Sequence, residues 1–560
     1  MTRARDEWAA DFETTTDPDD CRVWAWGCAR VGDAEETFSY GNSIEGFLEF
    51  VRAHKGRYWF HNLSFDGKFI VDHLLREGYS HVKKKPGKKE FALLVSNMGK
   101  WYSMEFGGVQ FADSLKKITM SVAKMAVTYH LDYTKGEIDY TEQRAPGHEL
   151  TDEEIDYLRR DVLIVANALE QRFRLGRKLT TGSDCLALAQ DMLGKRWKTL
   201  FPSINPIMDA EIRQAYRGGF VYVNPNIKGK VVGEGIRLDV NSLYPWAMYD
   251  NPLPIGYPQR GSGKPCPDKE WPLWVADVVF NFKLKPGKLP CIQSRNNAFY
   301  GEREYIVESV EPMRLWVCSV DWALIQEMYD VDVISWGGHY MFRAKRGIFK
   351  DYIDWGMEGK ANAEDSGERQ NYKFALNSLY GKFGQKVDVT DKHAVLGEDN
   401  IVHYQEWDKE TRDPVYIPFA VFITAYARGK TIRTAVEFGE RFCYSDTDSI
   451  HALGTAIPDD VDVHPTSLGA WKHEATFSRA KFLRCKTYVE TVDGVEEYTC
   501  AGMPDKLKCV MRFEDFEPGF TTNPEKQHDA RYLAEDVQRL LPTNVPGGVV
   551  LTPHPFSIHM

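Results

Sequence analysis

Pairs of carboxylates are the first chemistry this chain offers. Asp446 and Asp448 lie in Cys443-Tyr444-Ser445-Asp446-Thr447-Asp448-Ser449-Ile450, where aromatic and β-branched residues predict two short strands meeting at a tight turn. Alternation along a strand puts both aspartates on one face. Carboxylates so placed repel each other unless one takes up a proton or a cation is held, and hard oxygen ligands select Mg²⁺ or Mn²⁺. The plainer reading is an acidic turn at a hairpin tip. A partner far upstream favours the metal. In Asp239-Val240-Asn241-Ser242-Leu243-Tyr244-Pro245 an apolar run through Ile236, Leu238 and Val240 carries another carboxylate at its end.

A second acidic set lies near the N-terminus. A strand predicted over 8–14 carries Asp11 and Glu13 on one face, and pairs as a hairpin with 22–31 across Asp17-Pro18-Asp19-Asp20. Asp66 follows the aromatic strand Tyr58-Trp59-Phe60 and a turn, where a strand end can present it ahead of a helix over 68–77. Asp161 stands four residues after Tyr157 on a helix with Thr151 as N-cap, acids at 152–154, and Ile155, Leu158, Val162 and Val165 as its buried stripe. Singly, each acid reads as ordinary surface. Gathered by a fold, the four could hold two cations that activate a water and stabilise the leaving oxygen of a phosphodiester.

Cations and aromatics lie between the two acidic sets. One helix is predicted to carry Lys360, Arg369, Lys373, Asn377, Tyr380 and Gly381, with Arg369, Lys373 and Asn377 spaced by four on one face. That face could grip triphosphate oxygens and stack a base, against the plainer reading of a solvated face. Tyr216-Arg217-Gly218-Gly219 precedes a strand over 220–223, and its paired glycines allow close backbone approach to a ligand or make a simple turn. Lys83, Lys84, Lys85, Lys88 and Lys89 read as a solvated loop. Lys472, Arg479, Lys481, Arg484 and Lys486, interleaved with Trp471, Phe477, Phe482 and Tyr488, fit a nucleic-acid groove better.

These elements need a large chain to position them. With 560 residues, two or more domains are expected. Thr180-Thr181-Gly182-Ser183 reads as a domain junction, 251–345 as an insertion with short strands, 386–418 as a smaller hairpin-like insertion, 419–440 as a helix leading to the Asp446 turn, and 529–541 as an amphipathic helix closed by Pro542. Ten cysteines without a CxxC pair read as reduced thiols rather than disulfides or zinc ligands. No run of about 18 apolar residues predicts a membrane span, and no apolar stretch follows the charged start, so a cytoplasmic setting is expected. A net charge of −11 speaks against a nucleic-acid binder at face value, so any grip on DNA should come from local charge and enclosure by insertions.

Taken together, the motifs resemble the protein-primed family B DNA polymerases, the class of phage phi-29, over nearly the whole chain. Asp239 to Pro245 is similar to the family's DxxSLYP motif, Lys373 to Gly381 to KxxxNSxYG, Tyr444 to Ser449 to YxDTDS, Tyr216 to Gly219 to YxGG, and Lys486-Thr487-Tyr488 to KxY, in the family's order. Asp11-x-Glu13, Asn62-x-x-x-Asp66 and Tyr157-x-x-x-Asp161 resemble its proofreading motifs. The resemblance implies α/β and α+β domains. An RNase H-like 3′–5′ exonuclease would span 1–182, with a right-hand polymerase of palm (183–250 and 419–515), fingers (350–385) and thumb (516–560). Insertions at 251–349 and 386–418 would match two terminal-protein regions. Ser445 stands where the family commonly has Cys, and the 529–541 helix looks inserted into a thumb that is otherwise β-rich.

The resemblance also implies roles. Asp239, Asp448 and the Val240 carbonyl would bind two Mg²⁺ ions, for which Mn²⁺ can substitute, with Asp446 in support. Lys360 and Lys373 would contact nucleotide phosphates, Tyr244 would sit under the sugar, and Asn377 and Tyr380 would line the nascent pair. Tyr216, Gly218, Gly219, Lys486 and Tyr488 would steady DNA. In the exonuclease, Asp11, Glu13, Asp66 and Asp161 would bind metal with Glu137 as an accessory acid, and Tyr157 and Lys135 would orient the water. Thr14, His61, Asn62, Phe65, Phe69, Ser114, Leu115 and Tyr140 would hold single-stranded DNA. The implied partners of this monomer are primer-template DNA, dNTPs, a terminal protein giving a Ser, Thr or Tyr hydroxyl, and a phage single-stranded DNA-binding protein, in an infected bacterium's cytoplasm. A stand-alone nuclease would leave the Asp239, Lys373 and Asp448 motifs unexplained, and a non-catalytic binding relative would not need both complete acid sets. A family B polymerase primed only by nucleic acid remains the nearest alternative, and the two insertions speak against it.

Overall fold

The structure is a computed structural model, which describes residues 5–140, 142, 144–293 and 305–559. Part of the 251–345 insertion and the first four residues therefore lie outside the described residues. Its first unit is an eight-stranded mixed sheet in which Glu7–Thr14 lies between antiparallel Val23–Arg30 and parallel Arg57–Phe60. The predicted hairpin is present. Helix Asp152–Phe173 packs on those first two strands, and its N-terminus is closed by a capping box between Thr151 and Glu154. Leu158, Val162 and Val165 are buried as the periodicity requires.

A second mixed-length sheet of eight strands carries the Asp446 turn. Gly235–Val240 lies between Trp471–Arg484 and Ser449–Leu453, and the hairpin partner Phe442–Asp446 follows outward. Its apolar back packs under helix Ile417–Glu437, which is buried along most of its length. A helical body built from Thr181–Leu193, Lys350–Asn362, Ser366–Ser378 and that same long helix shares one large core.

Several expectations change. The 251–345 region contains long strands rather than short ones: Leu253–Ser262, Leu273–Leu284 and Tyr329–Lys345, joined by Met313–Cys318 in one antiparallel sheet. The cationic helix is two helices, Lys350–Asn362 and Ser366–Ser378, because Asp365 starts a new helix by accepting a hydrogen bond from the Glu368 N–H. Thr180 is an N-cap, opening helix Thr181–Leu193. Asp66 sits in the first turn of Leu63–Arg76, not at a strand end.

The amphipathic helix expected over 529–541 does not form. Two short 3₁₀ turns, Ala530–Tyr532 and Glu535–Val537, lead into strand Arg539–Val545, which pairs with Gly548–His554. Tyr532 and Val537 are buried against Phe513, Phe516 and Phe556, so tertiary packing overrides the helical spacing. The hairpin tip docks on the first unit. Gly547 donates its N–H to Asp72 Oδ1 at 3.2 Å, and Gly548 lies against the Phe69 ring. The 386–418 segment forms one hairpin, Lys392–Leu396 with Val402–Glu406, framed by a two-residue ladder of Asp388–Val389 with Glu410–Thr411, and reaches the same place: Ala394 and Val402 join Val549 and Val550 in one core with the first sheet.

Gly547 has φ +95°, and a Cβ there would collide with the Cys21 carbonyl. Gly547→Val should therefore undock the hairpin and raise its rate of proteolytic nicking about tenfold or more. Unchanged resistance of 539–554 to limited proteolysis would contradict this packing.

Candidate active sites

The Asp446-Thr447-Asp448 turn is held from several sides. The Asp448 carbonyl accepts the Val240 N–H at 2.8 Å, which fixes the end of Gly235–Val240, and with it Asp239, beside Asp448. Thr447 is left-handed (φ +66°), its N–H bonds the Phe220 carbonyl at 2.6 Å, and its own carbonyl accepts from Thr431 Oγ1 at 2.8 Å. A Cβ on Gly219 would lie 2.6 Å from Thr447 Oγ1, so a glycine is required where the Tyr216–Gly219 loop meets the turn. Ser445 closes the hairpin by donating to the Ser449 carbonyl at 2.8 Å.

The two aspartates of the turn have different surroundings. Asp446 ends its strand and is paired with Lys486 Nζ at 2.6 Å, while Asp448, inside the turn, stands with Asp239. Burial, then the nearby Asp448 charge, pushes the Asp239 carboxyl up to about 7, and burial also raises Asp448. Both line a cavity of about 850 Å³, and Lys360, Arg369, Lys373 and Asn377 line it as well. Burial, then Arg369, Lys373 and Lys472, lower the Lys360 pKa. Tyr244 and Tyr380 stack with ring centroids 3.8 Å apart at the cavity wall.

The first unit gathers its four acids. Asp11 and Glu13 project from Glu7–Thr14, Asp66 from Leu63–Arg76 and Asp161 from Asp152–Phe173. Burial and the charge of Asp161 push Asp11 up to about 7; Glu13 and Asp66 lie well above the usual carboxylate range, from burial first and then from Asp11. Lys135 Nζ pairs with Asp161 Oδ2 at 3.0 Å, whereas Asp161 Oδ1 is buried with no partner. Tyr157 and Tyr140 share a hydrogen bond of 3.0 Å. His61 bonds Ser114 Oγ and the Met120 carbonyl, and Asn62, left-handed at φ +86°, donates its N–H to Asp113.

Not every expected residue points into a site. Glu137 is exposed, Phe69 is buried beneath Gly548, and Thr14 is buried, while Phe65 and Leu115 are partly exposed. Tyr488 packs in an aromatic group with Tyr444, His451 and Phe482, and Lys486 donates its N–H to Tyr444 Oη at 2.9 Å. Several of the predicted basic residues have acidic partners: Lys84 pairs with Glu410, Arg479 with Glu496 and Glu514, and buried Lys481 with Glu517.

Sequence reasoning missed a buried ion pair that supports the turn. Arg428 on the long helix binds Asp321 at 2.7 and 2.8 Å and donates to the carbonyls of Arg217 and Gly218, both at 2.7 Å. The one signal was a lone arginine inside the apolar run Phe419 to Ile432.

Among the described residues, no three Asp, Glu, His or Cys side chains close around a single point tightly enough to cage an ion. Carboxylate pairs suit Mg²⁺-like ions nonetheless, since such ions keep several positions for substrate oxygens and water. The unpartnered Asp161 oxygen and the crowded, protonation-prone Asp11 and Asp239 fit a divalent cation at each site.

Residues 48–145 and 138–463 match the family model described as DNA polymerase type B, organellar and viral. The chain is 40% identical to the DNA polymerase of Bacillus phage Nf, over 99% of this chain and 100% of that one, and 39% identical to that of Bacillus phage phi29, over 99% of each. It is 33% identical to the DNA polymerase of Streptococcus phage Cp-1 over 92% of this chain and 94% of that one. Among solved structures, an orthorhombic crystal form of Phi29 DNA polymerase superposes with a TM-score of 0.92 at 38% identity, covering 99% of this chain and 100% of that one. The same polymerase complexed with primer-template DNA and incoming nucleotides superposes with a TM-score of 0.90, with the same identity and coverage.

Raised carboxyl pKa values mean that the native protein holds more protons than the unfolded chain between the ordinary carboxylate range and about 7. Without metal, these groups cost stability as pH rises through that window, and a divalent cation should recover it. Mg²⁺ should raise Tm more at pH 8 than at pH 5.5, and the double substitution Asp11→Asn with Asp239→Asn should remove most of that difference. An equal Mg²⁺ effect at both pH values would contradict the assignment.

Proposed function

The chain belongs to the type B DNA polymerases of organelles and viruses, and from that premise we propose how its residues divide the work of a DNA-directed DNA polymerase with 3′–5′ exonuclease activity. The observation that carries the reading is the Val240–Asp448 backbone bond, which sets two half-buried carboxylates opposite a cationic wall across one cavity. Asp239 and Asp448, with the Val240 carbonyl, would hold two Mg²⁺ ions, or Mn²⁺ in their place. When bound, these ions lower the pKa of the primer 3′-hydroxyl and offset charge on the pyrophosphate leaving group.

The chain's own residues position the substrates. Lys360 and Lys373 hold the triphosphate from the fingers side, Asn377 and Tyr380 line the new base pair, and Tyr244, fixed by its stack on Tyr380, sits under the sugar and excludes a 2′-hydroxyl. Asp446 is a supporting charge. Its pairing with Lys486 keeps that lysine at the turn, next to the primer end that Lys486 and Tyr488 steady. Tyr216, Gly218 and Gly219 approach the template-primer, held by Arg428 and by contact with Thr447.

In the exonuclease, Asp11, Glu13, Asp66 and Asp161 would hold the ions, with Lys135 and Tyr157 orienting the water. Single-stranded DNA would run past His61, Asn62, Phe65, Ser114, Leu115 and Tyr140. We assign 1–182 to the exonuclease, 183–250 and 419–515 to palm, 350–385 to fingers and 516–560 to thumb. The insertions 251–349 and 386–418 support protein priming by a separate terminal protein, whose hydroxyl takes the place of a primer end. They also support strand displacement, because the second insertion and the C-terminal hairpin share a core on the exonuclease and can enclose DNA despite the net charge of −11. The displaced strand would be taken by a phage single-stranded DNA-binding protein. The setting is the cytoplasm of an infected bacterium, and the enzyme acts as a monomer.

Asp448→Ala should abolish nucleotide incorporation and leave degradation of single strands intact, whereas loss of both would refute the division of sites. Asp11→Ala with Asp66→Ala should do the reverse, and retained degradation would refute it. Priming is tested by incubating the protein with dATP, Mg²⁺ and the candidate terminal protein. A covalent protein–dAMP adduct is expected, and its absence alongside normal extension of a DNA primer would favour nucleic-acid priming.

A further inference from the structure

The cationic wall of the polymerase cavity faces a cation that none of the motifs contains. Lys472 lies directly across from Asp239 in the antiparallel pairing of Gly235–Val240 with Trp471–Arg484. Side chains of such a pair project to the same face, within about 4.5–5.5 Å at Cβ. Lys472 lines the same cavity as Asp239, Lys360, Arg369 and Lys373, and its side chain is 46% exposed into it. Its ammonium gives one N–H to Glu474 Oε1 at 3.1 Å, and Glu474 also lines the cavity. An ammonium has three donors, so that bond leaves capacity for another acceptor. Its charge acts on both Asp239 and Lys360, which places it between the carboxylate floor and the cationic wall.

Resting on the polymerase reading above, we propose that Lys472 contacts the terminal phosphates of the incoming nucleotide from the palm side and keeps that contact with the pyrophosphate that leaves. Lys360, Arg369 and Lys373 approach the triphosphate from the two helices on one side only. A cation from the opposite wall encloses the phosphate tail, and the same terminal phosphates remain in its reach as the pyrophosphate that leaves. The plainer reading, a solvated Lys–Glu pair on a sheet surface, explains neither its placement opposite a catalytic carboxylate nor its facing three other cations. Glu474 holds the ammonium beside Asp239 rather than on it, which leaves that carboxylate open to metal.

The test uses the full-length protein with primer-template DNA. Lys472→Met, which keeps the aliphatic stem, should raise KM for dNTP about five- to tenfold and KM for pyrophosphate in the reverse reaction by a similar factor, with kcat changed less than about twofold. Lys472→Arg should stay within about twofold of the unmodified protein, and degradation of single strands, a check on folding, should be unchanged. Unchanged KM for both dNTP and pyrophosphate in Lys472→Met, or a fall in kcat alone, would overturn the role while leaving the polymerase reading standing. Failure of the unmodified protein to extend a primer would overturn both.

Discussion

Everything at the polymerase site depends on keeping two negative groups together on the wall of one cavity. Asp239 and Asp448 are both half-buried, and repulsion from Asp448 adds to the cost of burial in pushing the Asp239 carboxyl up to about 7. Such a pair persists only if the surrounding backbone is over-determined. The Val240 N–H to Asp448 carbonyl bond supplies the direct link, and the left-handed Thr447, bonded to Phe220 and Thr431, removes the turn's freedom to splay. A divalent cation held between them would convert that repulsion into attraction, so a geometry that costs stability on its own would serve the proposed reaction.

The long helix Ile417–Glu437 is the element that carries this constraint outward. Thr431 holds the turn, and Arg428, one turn earlier, holds the Arg217–Gly218 backbone and the insertion's Asp321. Truncating one partner of such a buried pair commonly costs about 3–5 kcal/mol, because the other charge is left unpaired. One helix thereby sets the catalytic turn, the glycine loop and the insertion relative to each other. The C-terminal hairpin and the 386–418 segment close on the first sheet through a shared apolar core rather than through charge. That arrangement is compatible with a net negative chain working on DNA.

Much of this was legible in the sequence because catalytic groups sit on strongly patterned local elements. The strand before Asp239, the hairpin around Asp446 and the capped helix bearing Asp161 all follow from alternation, turn chemistry and capping. The resemblance supplied what spacing could not: which distant acids belong together. Failures came where tertiary contacts outweigh local pattern. Residues 529–541 have helical spacing but bury Tyr532 and Val537 in a core that demands turns and a strand. Along Trp471–Arg484 the sequence shows the basic residues but not their acidic partners, since Glu496, Glu514 and Glu517 come from separate segments.

The central claim is that the Asp239–Asp448 pair is a built cation site completed by the nucleotide. Anomalous diffraction from crystals grown with Mn²⁺, primer-template DNA and a non-hydrolysable dNTP tests it most directly. Manganese density bridging the two carboxylates and the triphosphate, with the Val240 carbonyl among the ligands, is the predicted result. Manganese bound elsewhere while the nucleotide occupies the cavity would contradict it.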